Sequence, residues 1–536
     1  MTVRPGWRLP AVLATAGLLV SACMANPGPP PTVEPEAPTT SSSPVPTTTP
    51  TSSRTQVSVG IDPLRNGLNP HLIADNQAVV DAIADLTLPS AFRNGELNED
   101  LLVSAVEVPP SSANVVQTVR YELRPEAQWS DGTPITGADF LYLWQAMTST
   151  PGVVDPSGYR AISAVDQAEG GRVITVDFSQ RVESWRELFT HLLPSHLAEP
   201  EGKAFATTFY SELPASAGRF MVQSVDRSRG MILLHRNDRF WGKDPAKYDV
   251  LRLNFVTSVT EGVDQLRNGQ ISFLDVTPAE TSAEAYRLLP GAQTQVVDTP
   301  RRLNLDVNVA SEALSTPERR NALFSLLDVS LIARQAAGRS SDVVVPPQVS
   351  YQPFAAIEDL RKTTQESPLR IGADPADEQG TSAVRAITDS LTRQGIKAEA
   401  VATDVPTAAR RELPGGNLDA YVSWDVDDSS AQDLASRYQC PPVATGQTQH
   451  VRLSNLTGYC APDAEELSAS ILSGARGQSE ANDVVRGLNA AQALTLPLMT
   501  ERRVVVLGEG IIGPSPDLNQ WAEGLSSAGS WSIKER

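Results

Sequence analysis

One short segment combines an aromatic ring with carboxylates at a spacing suited to ligand binding. In Trp424-Asp425-Val426-Asp427 the last aspartate follows the tryptophan by three residues. A buried carboxylate of this kind suits a ligand ammonium, because a paired charge tolerates desolvation far better than a lone one. The alternative is that Asp427, or one of the two polar residues after it, caps the following helix. Trp424 and Asp427 are therefore candidate ligand-binding residues.

A second aromatic candidate is Trp129, which begins a turn-rich segment that ends at Thr136. An aromatic ring can stack on the apolar face of a sugar, whereas a tryptophan is more often part of a core. Because Trp129 lies in an irregular turn, we include it among the candidate ligand contacts. Arg301 and Arg302 suit a bidentate phosphate contact, although solvated surface is the simpler expectation for both.

Familiar catalytic patterns are absent from the sequence. It contains no Gly-x-Ser-x-Gly elbow, no Gly-x-x-x-x-Gly-Lys-Ser/Thr phosphate-binding loop and no His-Glu-x-x-His. Five histidines and three cysteines are too few for a zinc ribbon or a cluster site. Sequence order alone does not place two carboxylates across a cleft, as a glycoside hydrolase requires. We therefore expect a binding protein rather than an enzyme, with no catalytic residues, metal or cofactor.

Length and charge narrow the class of protein further. The chain has 536 residues, enough for at least two lobes, and 40% of them are hydrophobic. Its 63 acidic residues exceed its 44 Lys and Arg, which gives a formal net charge of −19. Such a surface repels phosphates, so we expect no nucleic-acid partner. A monomer is the expected oligomeric state.

The amino terminus predicts export and anchoring. Two arginines precede an apolar run over residues 9–20, the layout of a secretory signal. As a helix this run is roughly 18 Å long, too short for the roughly 30 Å hydrocarbon core. It leads to Cys23 in a sequence that resembles a bacterial lipobox, with an ordinary signal peptide and a chance cysteine as the alternative. We expect residues 1–22 to be the signal peptide and Cys23 to carry the lipid.

A linker follows the lipidation site. Residues 24–54 contain nine prolines and twelve serines or threonines, a composition that cannot form a core. We assign residues 23–55 to a lipid-anchored linker on the extracytoplasmic face of the cell membrane. In that oxidising setting the remaining cysteines, Cys440 and Cys460, are an even pair and are expected to form a disulfide.

Hydrophobic periodicity predicts strands and helices in alternation. Residues 56–61, 116–123 and 172–178 alternate as strands do, and a helix is predicted to start at Thr136 with Asp139 in its first turn. A further helix is predicted from Thr316 to Gly338. The strands at 369–373 and 396–401 flank a helix, which requires a parallel crossover. These patterns predict an α/β fold with one sheet in each of two lobes and a cleft between them.

Four ordered blocks of sequence carry a family resemblance. They lie at residues 121–140, 218–242, 266–271 and 394–399, and the first contains Trp-Ser-Asp-Gly-Thr-Pro. Together they resemble the extracytoplasmic solute-binding proteins of family 5, the oligopeptide, dipeptide and nickel class that delivers ligands to ABC importers. The resemblance implies a two-lobed, type II periplasmic-binding-protein-like fold with a central cleft. By analogy, lobe I comprises residues 56–302 plus 499–536 and lobe II comprises residues 303–498. In the peptide-binding relatives, a Trp-x-x-Asp at the position of Trp424–Asp427 places the aspartate on the amino terminus of the ligand.

Other segments, such as Asn69-Pro70-His71-Leu72, resemble a smaller group of actinobacterial lipoproteins within the family. That group is tied to the assembly of phosphatidylinositol mannosides and lipoarabinomannan. The resemblance implies a phosphatidylinositol mannoside as ligand and a polyprenol-dependent mannosyltransferase of the membrane as partner. The alternative implied by the wider family is a peptide ligand handed to an ABC permease.

Overall fold

The structure, a computed structural model, describes residues 54–110, 112–198, 205–349, 356–426, 430–442 and 451–534. Cys23 and Asp427 lie outside the described residues, as do the signal peptide and nearly all of the linker. None of the described helices is long and apolar enough to cross a membrane.

The strands follow the predicted periodicity. In chain order they are β1 Gln56–Ile61, β2 Phe92–Arg93, β3 Glu96–Leu97, β4 Leu102–Val108, β5 Gln117–Leu123, β6 Ile162–Ala168, β7 Val173–Phe178, β8 Phe220–Asp226, β9 Met231–Arg236, β10 Val250–Phe255, β11 Phe273–Val276, β12 Gln293–Val307, β13 Leu369–Ala373, β14 Ala398–Ala402, β15 Ala420–Val426, β16 Thr495–Leu507, β17 Ile511–Ile512 and β18 Ser532–Ile533.

The described part of the chain also contains fourteen α-helices. They are α1 Ala78–Thr87, α2 Gly137–Ser149, α3 Ser157–Ala161, α4 Ser195–Ala198, α5 Val259–Arg267, α6 Ser282–Arg287, α7 Pro317–Ser325, α8 Val329–Ala337, α9 Ala356–Glu366, α10 Glu378–Arg393, α11 Val405–Thr407, α12 Ala431–Tyr438, α13 Pro462–Leu472 and α14 Gln478–Gln492.

One ten-stranded sheet runs through both parts of the molecule, in the order β14-β13-β15-β12-β16-β11-β1-β10-β9-β8. The prediction of one separate sheet for each lobe is therefore wrong. The reason is that β12 and β16 are long, 15 and 13 residues, and pair with each other along most of their lengths. Each of them continues from one half of the sheet into the other, so backbone hydrogen bonds join the two halves.

The crossing between the halves lies where the pairing of β12 with β16 is irregular. The register shifts between Asp298 and Arg302 and again between Leu303 and Asn304. The lobe boundaries proposed from the sequence, at 302/303 and 498/499, fall at this irregularity. We keep them as proposed boundaries and use the names lobe I and lobe II accordingly.

A second, four-stranded antiparallel sheet in lobe I has the order β4-β5-β7-β6. Helix α2 packs beside this sheet and begins as predicted. The hydroxyl of Thr136 accepts a hydrogen bond from a first-turn amide, and the carboxylate of Asp139 accepts one from the Thr136 amide.

The helix predicted from Thr316 to Gly338 is two helices. Thr316 caps α7 and Pro317 occupies its first turn, as expected. The side chain of Asp328 then accepts a hydrogen bond from the amide of Leu331 and starts α8, which ends at Gly338 in a left-handed conformation. The prediction missed this break because the leucine pattern continues across it.

Candidate functional site

A cavity of about 640 Å³ lies beside the crossing strands. Its walls come from α1, from the segment around β2, from β12 at Asp298–Arg301 and from the C-terminal segment 518–526. Val426, at the end of β15, completes it from lobe II. We call it the crossing cavity, and its volume is within the usual range for a ligand site.

Two aromatic side chains line the crossing cavity. Phe92 packs edge-on against Trp185, with their ring centroids 5.4 Å apart. Trp521 stacks on Phe273 at 5.6 Å, and the two rings are almost parallel. Their neighbours therefore hold both rings in position; Phe92 is 6% and Trp521 is 7% exposed, so each ring borders the cavity with a small part of its apolar surface.

The back wall is a buried network of arginines and carboxylates. Nε of Arg503 lies 2.8 Å from Oδ1 of Asp275, and its Nη1 also contacts Asp62. Burial raises the pKa of Asp275, and Arg503 opposes that shift. A buried pair of this kind is costly to break on one side only.

Arg301 joins the crossing to α1. Its Nε donates to Oδ1 of Asn76 at 2.5 Å, while its other nitrogens contact Asp81 and Glu501. Arg301 is only 6% exposed, so the expectation of a solvated arginine at this position is wrong. The side-chain nitrogen of Asn76, which also lines the cavity, finds no hydrogen-bond partner among the residues that the structure describes.

Polar side chains surround the mouth of the crossing cavity. His191 Nε2 lies 2.8 Å from Oδ1 of Asp85, and Ser526 Oγ donates to the other oxygen at 2.6 Å. Burial alone would raise the pKa of Asp85, but these hydrogen bonds hold it below its ordinary value. Arg93 is the exposed cation of the lining. The cavity thus offers hydrogen-bond donors, acceptors and one accessible positive charge.

A cluster of carboxylates lies next to the cavity, where the two lobes meet. Asp155 follows the lining residue Val154, and burial together with the charge of Asp425 raises its pKa to about 7. Arg437 opposes this shift and bonds Asp425 at 3.1 Å. Burial likewise raises the pKa of Asp306 to about 6.

The lobes are in contact in this structure. Gly158 of lobe I donates its amide to Oε1 of Gln432 at 2.8 Å, and Ser157 Oγ donates to the Gln432 carbonyl at 2.9 Å. A Cβ at Gly158 would lie 2.3 Å from the same Oε1, so a larger residue there would displace the Gln432 side chain. Arg65 and Asp377 form a second contact at 3.4 Å.

Trp129 does not line the crossing cavity. It is 0% exposed and belongs to the lobe I core, where its ring lies 6.3 Å from that of His196. Its turn closes through a hydrogen bond from its amide to the Thr133 carbonyl at 2.7 Å. The expectation of an accessible, ligand-stacking Trp129 does not fit this position.

Trp424 lies at the interface of the lobes. It is 3% exposed and packs in the lobe II core, but it also borders a crevice shared with Arg65 and Asp374. Asp427, the other half of the motif, lies outside the described residues. The cysteines expected to pair do so: Cys440 and Cys460 are bonded.

Sequence analysis alone does not identify the residues that line the crossing cavity. Phe92, Arg301 and Trp521 are far apart in the chain, and no local spacing connects them. The one available signal was Arg301 beside Arg302, which we assigned to solvated surface. Only the sheet topology brings these residues together.

Comparison with known proteins places the chain in a family. The family model of the bacterial extracellular solute-binding proteins, family 5 Middle, matches residues 113–441. The probable monoacyl phosphatidylinositol tetramannoside-binding protein LpqW of Mycobacterium tuberculosis is 29% identical, over 96% of this chain and 97% of its own length. The oligopeptide-binding protein OppA of Mycobacterium bovis is 30% identical, over 51% of this chain and 47% of its own.

Solved structures agree on the fold. The mannohexaose-bound periplasmic oligopeptide-binding protein of Thermotoga maritima superposes with a TM-score of 0.63 at 16% identity, covering 90% of this chain and 99% of that one. The family and the two-lobed α/β fold predicted from the four sequence blocks are confirmed. The chain belongs to the bacterial extracellular solute-binding proteins of family 5.

Proposed function

We propose that this solute-binding protein binds a phosphatidylinositol mannoside in the crossing cavity. The observation that carries the proposal is the lining of that cavity, where two fixed aromatic rings stand among hydrogen-bonding side chains. The similarity to LpqW over nearly the whole of both chains supports the same ligand class.

Different lining residues of the crossing cavity would contact the mannosyl rings, the hydroxyl groups and the phosphate of such a ligand. Phe92 and Trp521 pack against the apolar faces of mannosyl rings, and the free amide hydrogens of Asn76 meet a hydroxyl. Asp85 offers acceptor lone pairs near the mouth. Arg93, the exposed arginine there, pairs with the phosphate. Trp424 and Asp427 remain proposed contacts at the interface of the lobes.

We extend the proposal to the cellular role implied by the resemblance. The protein is anchored through Cys23 to the extracytoplasmic face of the membrane. There it promotes lipomannan and lipoarabinomannan assembly through a membrane mannosyltransferase. It acts by binding and carries out no reaction of its own.

A second candidate function is the delivery of oligopeptides to an ABC importer. The match to OppA over half of this chain favours it. In this case Asp427 would hold the ammonium of the peptide, and its replacement by alanine would cost roughly 2–5 kcal/mol of affinity. A mannoside site contains no ammonium, so Asp427→Ala would change its affinity little.

Native mass spectrometry of the mature protein, purified in detergent, tests the two candidates directly. We expect a co-purified mass that matches a mannosylated phosphoinositide. Arg93→Ala is expected to weaken that complex, whereas Arg229→Ala, at an exposed arginine outside the cavity lining, is the matched control. A ladder of peptide masses lost in Asp427→Ala would overturn the proposal in favour of the importer.

A further inference from the structure

A second, small cavity lies beside the crossing cavity. Its volume is about 90 Å³, the space of roughly three water molecules at about 30 Å³ each. Its lining shares Asp85, Arg93 and Ser526 with the lining of the crossing cavity and adds a second arginine, Arg219. We call it the arginine pocket. Its size suits a single group as large as a phosphate and excludes a sugar ring.

A tight hairpin presents Arg93 to this pocket. Strands β2 and β3 are joined by Asn94 and Gly95, whose φ angles of 51° and 78° are typical of a type I′ turn. Nη2 of Arg93 donates to the carbonyl oxygens of Asp85 and Leu88 at 3.2 and 3.4 Å. Arg93 forms no other side-chain hydrogen bond, and no ion pair, with the residues that the structure describes. Its remaining guanidinium donors are therefore available to a ligand.

Two glycines hold Arg219 at the arginine pocket. The amide of Gly218 donates to the Thr87 carbonyl at the end of α1 at 2.9 Å, and a Cβ at Gly218 would lie 2.2 Å from the Leu86 carbonyl oxygen. The side chain of Arg219 lies against Gly529, where a Cβ would lie 2.8 Å from its Cδ and 3.3 Å from its Nη1. Within the described part of the chain, the guanidinium of Arg219 forms neither a hydrogen bond nor an ion pair. Its backbone is thus fixed, while its five N–H donors stay available.

The two arginines are close enough to interact. Desolvation lowers the pKa of Arg93 and the positive charge of Arg219 lowers it further, while Asp85 and Asp100 oppose the shift. Like charges at one small pocket repel each other, and an oxyanion between them relieves that repulsion. A planar guanidinium also binds the oxygens of a phosphate bidentately, which is why arginine is common at phosphate sites.

The other polar side chains of the arginine pocket are engaged within the protein. Both oxygens of Asp85 accept hydrogen bonds, and one oxygen of Asp100 accepts one from the Lys243 amide at 3.2 Å. The side-chain nitrogen of Asn98 donates to the Ser90 carbonyl at 2.8 Å. The donors that a ligand meets are therefore those of the two arginines. The two carboxylates limit how much negative charge the pocket accepts.

From the two available guanidinium groups, the small volume and the nearby carboxylates, we propose that the arginine pocket binds an oxyanion with a single negative charge, such as a phosphodiester. One source is the phosphate of a phosphoinositide whose sugar portion lies in the crossing cavity. The other source is a free phosphate in its singly charged form. The first assignment rests on the proposed function, whereas the arginine pair itself does not.

Isothermal titration calorimetry of the full mature protein tests the pocket, with glycerophosphoinositol and inorganic phosphate as separate probes. We expect Arg219→Ala to weaken binding at least about tenfold, because charge-assisted hydrogen bonds are lost. Asp100→Asn removes a negative charge from the lining and should tighten binding about two- to fivefold. Arg252→Ala, at an exposed arginine of β10 outside the lining, is the matched control and should leave the titration unchanged.

Arg219→Lys separates an effect on binding from an effect on folding. It keeps the positive charge but not the bidentate fork, so we expect an affinity between those of wild type and Arg219→Ala, with the thermal midpoint of wild type. Binding of glycerophosphoinositol that depends on Arg219 identifies a lipid headgroup as the source. Binding of inorganic phosphate alone that depends on Arg219 identifies a free phosphate.

Several results would overturn the proposal. They are a wild-type protein that binds neither probe, an unchanged affinity in Arg219→Ala, and an equal loss of affinity for myo-inositol, which has no phosphate. A glycolipid that co-purifies equally with Arg219→Ala and with wild type would overturn this proposal and leave the proposed function standing. Binding of phosphate that depends on Arg219, without any co-purified glycolipid, would support the arginine pocket alone.

Discussion

Asp155 should make the stability of the folded protein fall as the pH rises. In the folded state its pKa is about 7, against an ordinary value of 3.8, because burial and the nearby charge of Asp425 disfavour its carboxylate. At a pH below its unfolded-state pKa, an acid whose pKa is raised by folding does not reduce the free energy of unfolding. The penalty grows as the pH rises from about 4 to about 7 and is constant above that. Asp155→Asn should therefore stabilise the protein at neutral pH and leave it unchanged in acid.

The size of the effect follows from the same values. A rise from 3.8 to about 7 corresponds to roughly 4 kcal/mol at about 1.4 kcal/mol per pH unit. This is an upper limit, because Asp155 keeps some exposed surface, where solvent screens its charge. We expect Asp155→Asn to gain roughly 2 kcal/mol at about pH 8 and close to nothing at about pH 4.

Thermal unfolding at several pH values, followed by tryptophan fluorescence, measures the difference between variant and wild type. That difference removes the contributions of other titrating groups, such as Asp306. Asp166→Asn, at an exposed aspartate of the same lobe, is the matched control and should have the midpoint of wild type throughout. A midpoint for Asp155→Asn that is no higher than wild type at about pH 8, or equally shifted at about pH 4, would refute the reasoning.

Three further predictions concern the crossing, the disulfide and the anchor. Arg503→Met leaves Asp275 buried without its partner, so we expect a loss of roughly 3–5 kcal/mol in urea unfolding, and an unchanged midpoint would contradict the role of this network. Cys440 and Cys460 close a loop with a sequence separation of 20, so replacing both by serine should cost about 3 kcal/mol; a thiol that alkylates without reduction would contradict the pairing. Cys23→Ala should move the protein out of the detergent phase, and continued retention there would exclude the lipid anchor.

Local structure was predictable at several places where one short segment contains its whole cause. The start of α2 depends on Thr136 and Asp139, three residues apart, and the strand–helix–strand unit of lobe II depends on patterns within its own elements. The break between α7 and α8 was missed, although its cause is also local. The leucine pattern continues on both sides of Asp328 and by itself predicts one helix. The side chain of Asp328 nevertheless caps a new helix, so the chain forms two.

The candidate site was not predictable in this way. Trp129 looked accessible because its segment is rich in turn residues, yet a turn fixes the direction of the chain and not that of the ring. The ring of Trp129 is buried because it packs within the lobe I core, beside the ring of His196. Conversely, Trp521 had no distinguishing neighbours in sequence. It reaches the crossing cavity because the C-terminal segment packs over Phe273 of β11.

The length of β12 accounts for much of the functional geometry. Arg301 and Arg302 are adjacent in the chain, but neighbouring side chains of a strand point to opposite faces. Arg301 therefore lines the crossing cavity, whereas Arg302 lines a separate cavity of about 920 Å³ that is bordered by α14 and by residues 346–349. The register irregularity at this point relaxes the pairing with β16, and the network around Arg301 and Glu501 holds the crossing in place. One strand thus supplies a wall to both cavities and the connection between the lobes. A substitution that shifts the register of β12 should therefore change both ligand binding and the contact between the lobes. A substitution confined to the lining of one cavity should change ligand binding alone.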